Sequence, residues 1–244
     1  MLEPMTIRSQ QQFDRACTRL RALQPDHPRV YAVADMADQG KRRWWKLSDG
    51  LGEGRIELMY RRHAAEMINA DIAAEVVATA LIHAVIGRVS ALLVAEGRAW
   101  DPGLENIWIH NDNDGGIDWA GLADITIRVL DGDPLAGEPG VVAFPCEPAM
   151  YVWLAHRCAS SLTSIQHTLT RCSGLGVRRF WALVGESIVG ASTYVPELAR
   201  TSPVDAARRS QGLLLALEDR GLPVRRSLSV VPSNNWIQTA RLPS

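Results

Sequence analysis

Six histidines and four cysteines are enough in number to build a metal site, but their spacing argues against one. His156 and His167 stand eleven residues apart. On a helix that is about 16 Å along the axis, too far to share an ion bound at about 2 Å. Cys158 and Cys172 fail in the same way, and no CxxC, HxxxH or HExxH occurs, so no metal-ligand set is predicted. The acidic stretch Asp112-Asn113-Asp114-Gly115-Gly116 lacks the ordered alternation of a calcium loop and reads as a plain hairpin turn. There is no G-x-S-x-G, no G-x-G-x-x-G after a strand and no phosphate-binding P-loop, which lowers the hydrolase and nucleotide-binding classes. No catalytic residue is assigned. His83 and Glu75 lie about 12 Å apart if helical, so they cannot touch. His83 is therefore expected to be a hydrogen-bonded core histidine, with a role in ligand binding as the alternative.

The more suggestive chemistry is basic. Arg178-Arg179, Arg208-Arg209 and Arg225-Arg226, with Arg157 and Arg171, concentrate positive charge in the C-terminal half. A solvated face is the ordinary fate of such residues. If several converge on one pocket, their guanidinium forks would suit an anionic, oxygen-rich ligand such as a ferric chelate. The ligand-binding candidates are Arg157, Arg171, Arg178, Arg179, Arg208 and Arg209, together with Trp181, His83 and His156.

These residues must be positioned by a chain of 244 residues, 47% hydrophobic and 22% charged, which is ordinary globular usage with enough apolar surface for one core. A single domain over 1–244 is expected, with an α+β part over 1–130, a helical part over 148–222 and a tail over 223–244. The formal net charge of −1 gives no global attraction to nucleic acid. Met1–Arg21 is too charged for a signal peptide. The most apolar stretch, Val76–Gly87, is short of the roughly 20 residues a membrane span needs. No membrane span and a cytoplasmic location with reduced thiols are expected.

The periodicity predicts a mainly α protein of α+β class, a helical bundle with a small antiparallel hairpin or sheet in its N-terminal half. A first helix runs from about Ser9 to Leu23, followed by loop with short strands between Val30 and Glu57. Ala64–Glu96 holds one glycine and no proline and is apolar on nearly every side, which predicts a central helix surrounded by protein. Asn106–His110 and Ile117–Ala120 flank the acidic turn as a β-hairpin, and Ile125–Leu130 is a further strand. Leu130–Pro148, rich in glycine and proline, is the expected connector. The stripe Met150, Leu154, Cys158, Leu162, Ile165 and Leu169 predicts a helix over about Ala149–Cys172. A second helix runs from Val177 to Tyr194, ending before Pro196. A third opens at Ser202-Pro203-Val204-Asp205 and ends at Gly221.

The order of several short motifs over roughly Ala64–Arg226 resembles the FhuF-like ferric-siderophore reductase family. They are Leu81-Ile82-His83-Ala84 with Gly87-Arg88, Ala99-Trp100-Asp101-Pro102, and Leu104-Glu105-Asn106-Ile107-Trp108-Ile109-His110. Further on come Ser173-Gly174-Leu175-Gly176, Arg179-Phe180-Trp181, Val184-Gly185 through Gly190-Ala191, and Gly221-Leu222-Pro223-Val224-Arg225-Arg226. In that family the basic residues near the C-terminus lead into cysteines that hold a [2Fe–2S] cluster, which passes one electron to the ferric centre. Here Arg225-Arg226 is followed by Ser227-Leu228-Ser229, and no cysteine follows Cys172, so that cluster is not expected.

The resemblance thus implies a siderophore-iron handling protein that binds a siderophore or ferric chelate and assists iron release without its own cluster. Electrons would come from an electron-donor protein, a haem or a flavin. Two alternatives stay open: a non-redox accessory of siderophore or natural-product biosynthesis, and a partner-binding scaffold without catalysis.

Overall fold

The computed structural model describes residues 3–23, 29–36, 44–111 and 116–225. The acidic turn from Asp112 to Gly115 and the tail from Arg226 onward lie outside the described residues.

The longest apolar run in the sequence becomes the axis of the molecule. Helix α1 (Glu3–Leu23), strand β1 (Arg29–Ala32), the short helix α2 (Val33–Met36), strand β2 (Trp44–Lys46) and helices α3 (Leu47–Gly52) and α4 (Arg55–Glu66) lead up to it. The axis itself is α5 (Ala70–Ile82), a π-helical segment (His83–Gly87) and α6 (Arg88–Glu96). The rod Ala70–Glu96 is 27 residues long and, by length and composition, apolar enough to cross a membrane; 72% of its most apolar window is buried inside the protein. The expected helix over 64–96 is therefore corrected at its start. Met67 and Asn69 are extended, and Asn69 Oδ1 accepts the Asp71 N–H at 2.8 Å, so a capping residue divides α4 from α5. At the other end Gly97, at φ +70°, closes α6 by donating to Leu93 O.

Strands β3 (Ile107–Asn111) and β4 (Ile117–Leu122) form the expected antiparallel hairpin, with Ile109 opposite Ala120. The four-stranded sheet has the order β1-β4-β3-β2 and is mixed, because β1 joins β4 in parallel. Its inward side chains Val30, Trp45, Ile107, Ile109, Ala120 and Leu122 are buried. Strand β5 (Ile127–Leu130) pairs in parallel with β6 (Val141–Phe144), so the expected connector is instead half of a second, two-stranded sheet. Its intervening turns are wound by Gly137 and Gly140 at positive φ and pinned by Asp133, which accepts from Leu135 N and from both Nε and Nη2 of Arg98.

Three long helices complete the mainly helical α+β fold. Helix α7 (Glu147–Cys172) buries Met150, Leu154, Cys158, Leu162, Ile165 and Leu169, the stripe its sequence shows. Helix α8 (Val177–Ala199) runs through Pro196 rather than stopping before it. Val195 and Pro196 are buried there, and Val195 packs with Val94 and Ala206, so apolar contact offsets the backbone bond that proline cannot donate. Helix α9 (Pro203–Glu218) starts at Ser202, whose hydroxyl accepts the Asp205 N–H. One apolar cluster runs through these elements from Phe13 in α1 to Val224 beyond α9.

Candidate functional site

The basic residues of the C-terminal half are held by acids brought from elsewhere in the chain. Arg157 makes a two-pronged pair with Asp101, at 2.7 and 2.8 Å, and Asp101 also accepts the Gly103 N–H. Arg179 grips Glu75 at 2.8 and 2.6 Å and reaches Glu186 at 3.0 Å, joining α8 to α5. Arg208 pairs with Glu147 and with Asp205, and Arg209 donates to Val94 O at 3.0 Å. Arg171, Arg178 and His156 are exposed. Trp181 is core, 2% exposed and edge-on to Phe180. These eight candidates are spread over three helices, and of the nine only His83 lines the cavity described next.

That cavity, about 280 Å³, opens between α1, the π segment, α6 and α8. Leu20, Leu23, Ala91, Ala191, Val195 and Leu198 make its walls apolar, while His83, Arg88, Glu186 and Ser187 supply its polar groups. The π segment sets the floor. Arg88 N–H bonds to His83 O, five residues back, so one turn holds a residue more than a regular α-turn. A side chain at Gly87 would stand 2.6 Å from His83 Nδ1 and 3.2 Å from Ser187 Oγ. A larger residue there would displace the His83 imidazole and crowd the Ser187 hydroxyl of α8.

Burial, and then the neighbouring Arg88 cation, hold the His83 imidazole below its usual range, so it is neutral at neutral pH. Arg88 is 2% exposed and shares the cavity lining with the Glu186 carboxylate, in a setting where charge–charge interactions are less screened than at the surface. Ser187 Oγ is buried with no hydrogen-bond partner among the described residues. The arrangement is a half-open, largely apolar cavity with a guanidinium and a neutral imidazole from the π segment and α6 facing a hydroxyl and a carboxylate from α8, a mixed polar set that can hold a polar group attached to an apolar body.

Arg88 and Ser187 were not among the candidates drawn from the sequence. Arg88 did leave a signal, as the one charged residue between Glu75 and Glu96 in an otherwise apolar helix. Ser187 left none, because it gains its role from the helix it faces.

Among the described residues no group of three or more His, Cys, Asp or Glu side chains could hold a metal ion. Two of the four cysteines, Cys17 and Cys158, are buried where an iron–sulfur cluster could not readily use them. Such a cluster is held by thiolates, and burial pushes the Cys17 and Cys158 thiols up and keeps them protonated. No family model, curated protein or solved structure matches this chain.

Proposed function

We propose that the protein binds a siderophore or its ferric chelate in the helix-lined cavity over His83 and Arg88 and assists iron release without an iron–sulfur cluster of its own. The observation that carries this reading is the buried Arg88 guanidinium lining an apolar cavity. Its planar fork matches the paired oxygens of carboxylates, hydroxamates and catecholates, and the apolar walls accommodate the organic body of such a ligand. The ordered motifs that resemble the FhuF-type reductases support the choice of ligand class. Two of them, around His83 and Arg88 on one side and Gly190-Ala191 on the other, contribute residues to the cavity.

Release of the metal needs one electron per iron, taking Fe(III) to Fe(II). In this reading the electron comes from a cytoplasmic donor protein, a haem or a flavin, and the chain supplies binding and orientation. The test is a calorimetric titration with ferric and iron-free hydroxamate siderophores. Wild type should saturate at one ligand per chain. Arg88→Met, which keeps the volume and removes the donors, should bind about tenfold more weakly or worse. The proposal fails if no siderophore binds, or if Arg88→Met binds as wild type does. Equally tight binding of the iron-free ligand, with no reduction in the presence of a donor, would favour the biosynthetic-accessory alternative.

A further inference from the structure

Three residues of α8, Glu186, Gly190 and Tyr194, line the cavity over Arg88 and also line a second, broader depression of about 640 Å³ on the other side of the helix. Spaced four apart, they stand in one row along the α8 surface. The far depression is bounded by Ala182, Gly185 and Val189 of α8, by Leu214 of α9 and by Val224. Thr193, Gln211 and Arg225 are its polar members, and apolar surface predominates.

The middle of the row is low. A Cβ built on Gly190 meets no atom within 4 Å, so the space above this residue is open, and the crest between the two depressions dips at that point into a saddle. At one end of the row Glu186 is matched by Arg179, Nη1 to Oε1 at 3.0 Å, so its charge is partly neutralised where an apolar chain would pass. At the other end Tyr194 is 66% exposed and Leu198, four residues on, is 55% exposed, while Val189 in the far depression is 49% exposed.

We infer that the two depressions form one site for an anion bearing an extended apolar chain. The anionic head lies at Arg88, and the chain crosses at Gly190 into the groove between α8 and α9. The inference rests on the ligand-binding reading above and narrows it to acyl-bearing anions. A free fatty carboxylate has this chemistry, and so does the acyl-hydroxamate arm of a siderophore once iron has displaced its proton.

The experiment is calorimetric titration of the full chain with octanoate, dodecanoate and the ferric complex of dodecanohydroxamate, using wild type, Gly190→Ala and Gly190→Trp. Each additional buried methylene should tighten binding roughly fourfold, so wild type should prefer dodecanoate to octanoate strongly. Gly190→Ala should keep that preference, because the space above it is open. Gly190→Trp should abolish it by filling the saddle, and although octanoate lies against the same wall, dodecanoate should lose at least about tenfold more affinity than octanoate does. An unchanged melting curve for Gly190→Trp confirms that it is folded. Equal affinity of wild type for the two chain lengths, or parallel loss of both ligands in Gly190→Trp, overturns the single extended site and leaves the siderophore reading standing. Tighter binding of the ferric complex of dodecanohydroxamate than of dodecanoate supports both readings. The reverse order keeps the extended site and counts against siderophore iron. If none of the three probes binds, the extended site is refuted, whereas the siderophore reading falls only if the ferric siderophores also fail.

Discussion

His83 shows at residue scale how burial sets chemistry. Its folded-state pKa is lowered, first by desolvation and then by Arg88, while the unfolded chain titrates near 6.5. Between those two values the unfolded state binds more protons, so stability is complete above about pH 6.5 and is lost as the pH falls through that window. The denaturant midpoint should therefore drop between about pH 7 and 5, and His83→Gln should flatten that part of the curve. The same slope in both proteins would show that His83 does not bear the penalty. The arginines were the least legible residues. The sequence displays the cations of Arg157 and Arg179 plainly, yet their acids lie 56 and 104 residues away, and spacing alone carries no sign of such pairings.

At the scale of elements, legibility followed the strength of the periodic pattern. The α7 stripe and the β3–β4 hairpin could be read directly, because each has a repeat that only one conformation buries. Three features escaped. The division between α4 and α5 depends on Asn69, a single capping side chain inside a helix-compatible run. Strand β6 and its parallel pairing escaped although the run Ile125–Leu130 did mark β5, because four residues a strand are too short to show a period. The π segment has the same composition as the α-turns around it. The capping role is testable: Asn69→Ala should cost about 1 kcal/mol by removing the acceptor for Asp71 N–H. Urea denaturation measures it, and a change within error would mean that α5 is held by packing alone.

The whole molecule depends on close approach at a few glycines. At Gly185 a Cβ would stand 1.8 Å from the Val224 carbonyl oxygen, which is backbone and cannot swing aside. Gly185→Ala should therefore push the segment after α9 away from α8 and cost roughly 1–3 kcal/mol, seen as a lower melting temperature. An unaltered melting temperature would mean that this segment shifts freely and contributes nothing to the fold. The π segment has a wider consequence. Each α-helical residue turns the chain by about 100°. The whole of α6, with Arg88 and the buried Val89, Leu92 and Leu93, therefore owes its rotational phase to the one surplus residue before it. Loss of a single codon among those for Ala84, Val85 and Ile86 would restore regular winding and wheel the guanidinium toward a different neighbour, an outcome that substitution at those positions, which keeps the residue count, does not bring about.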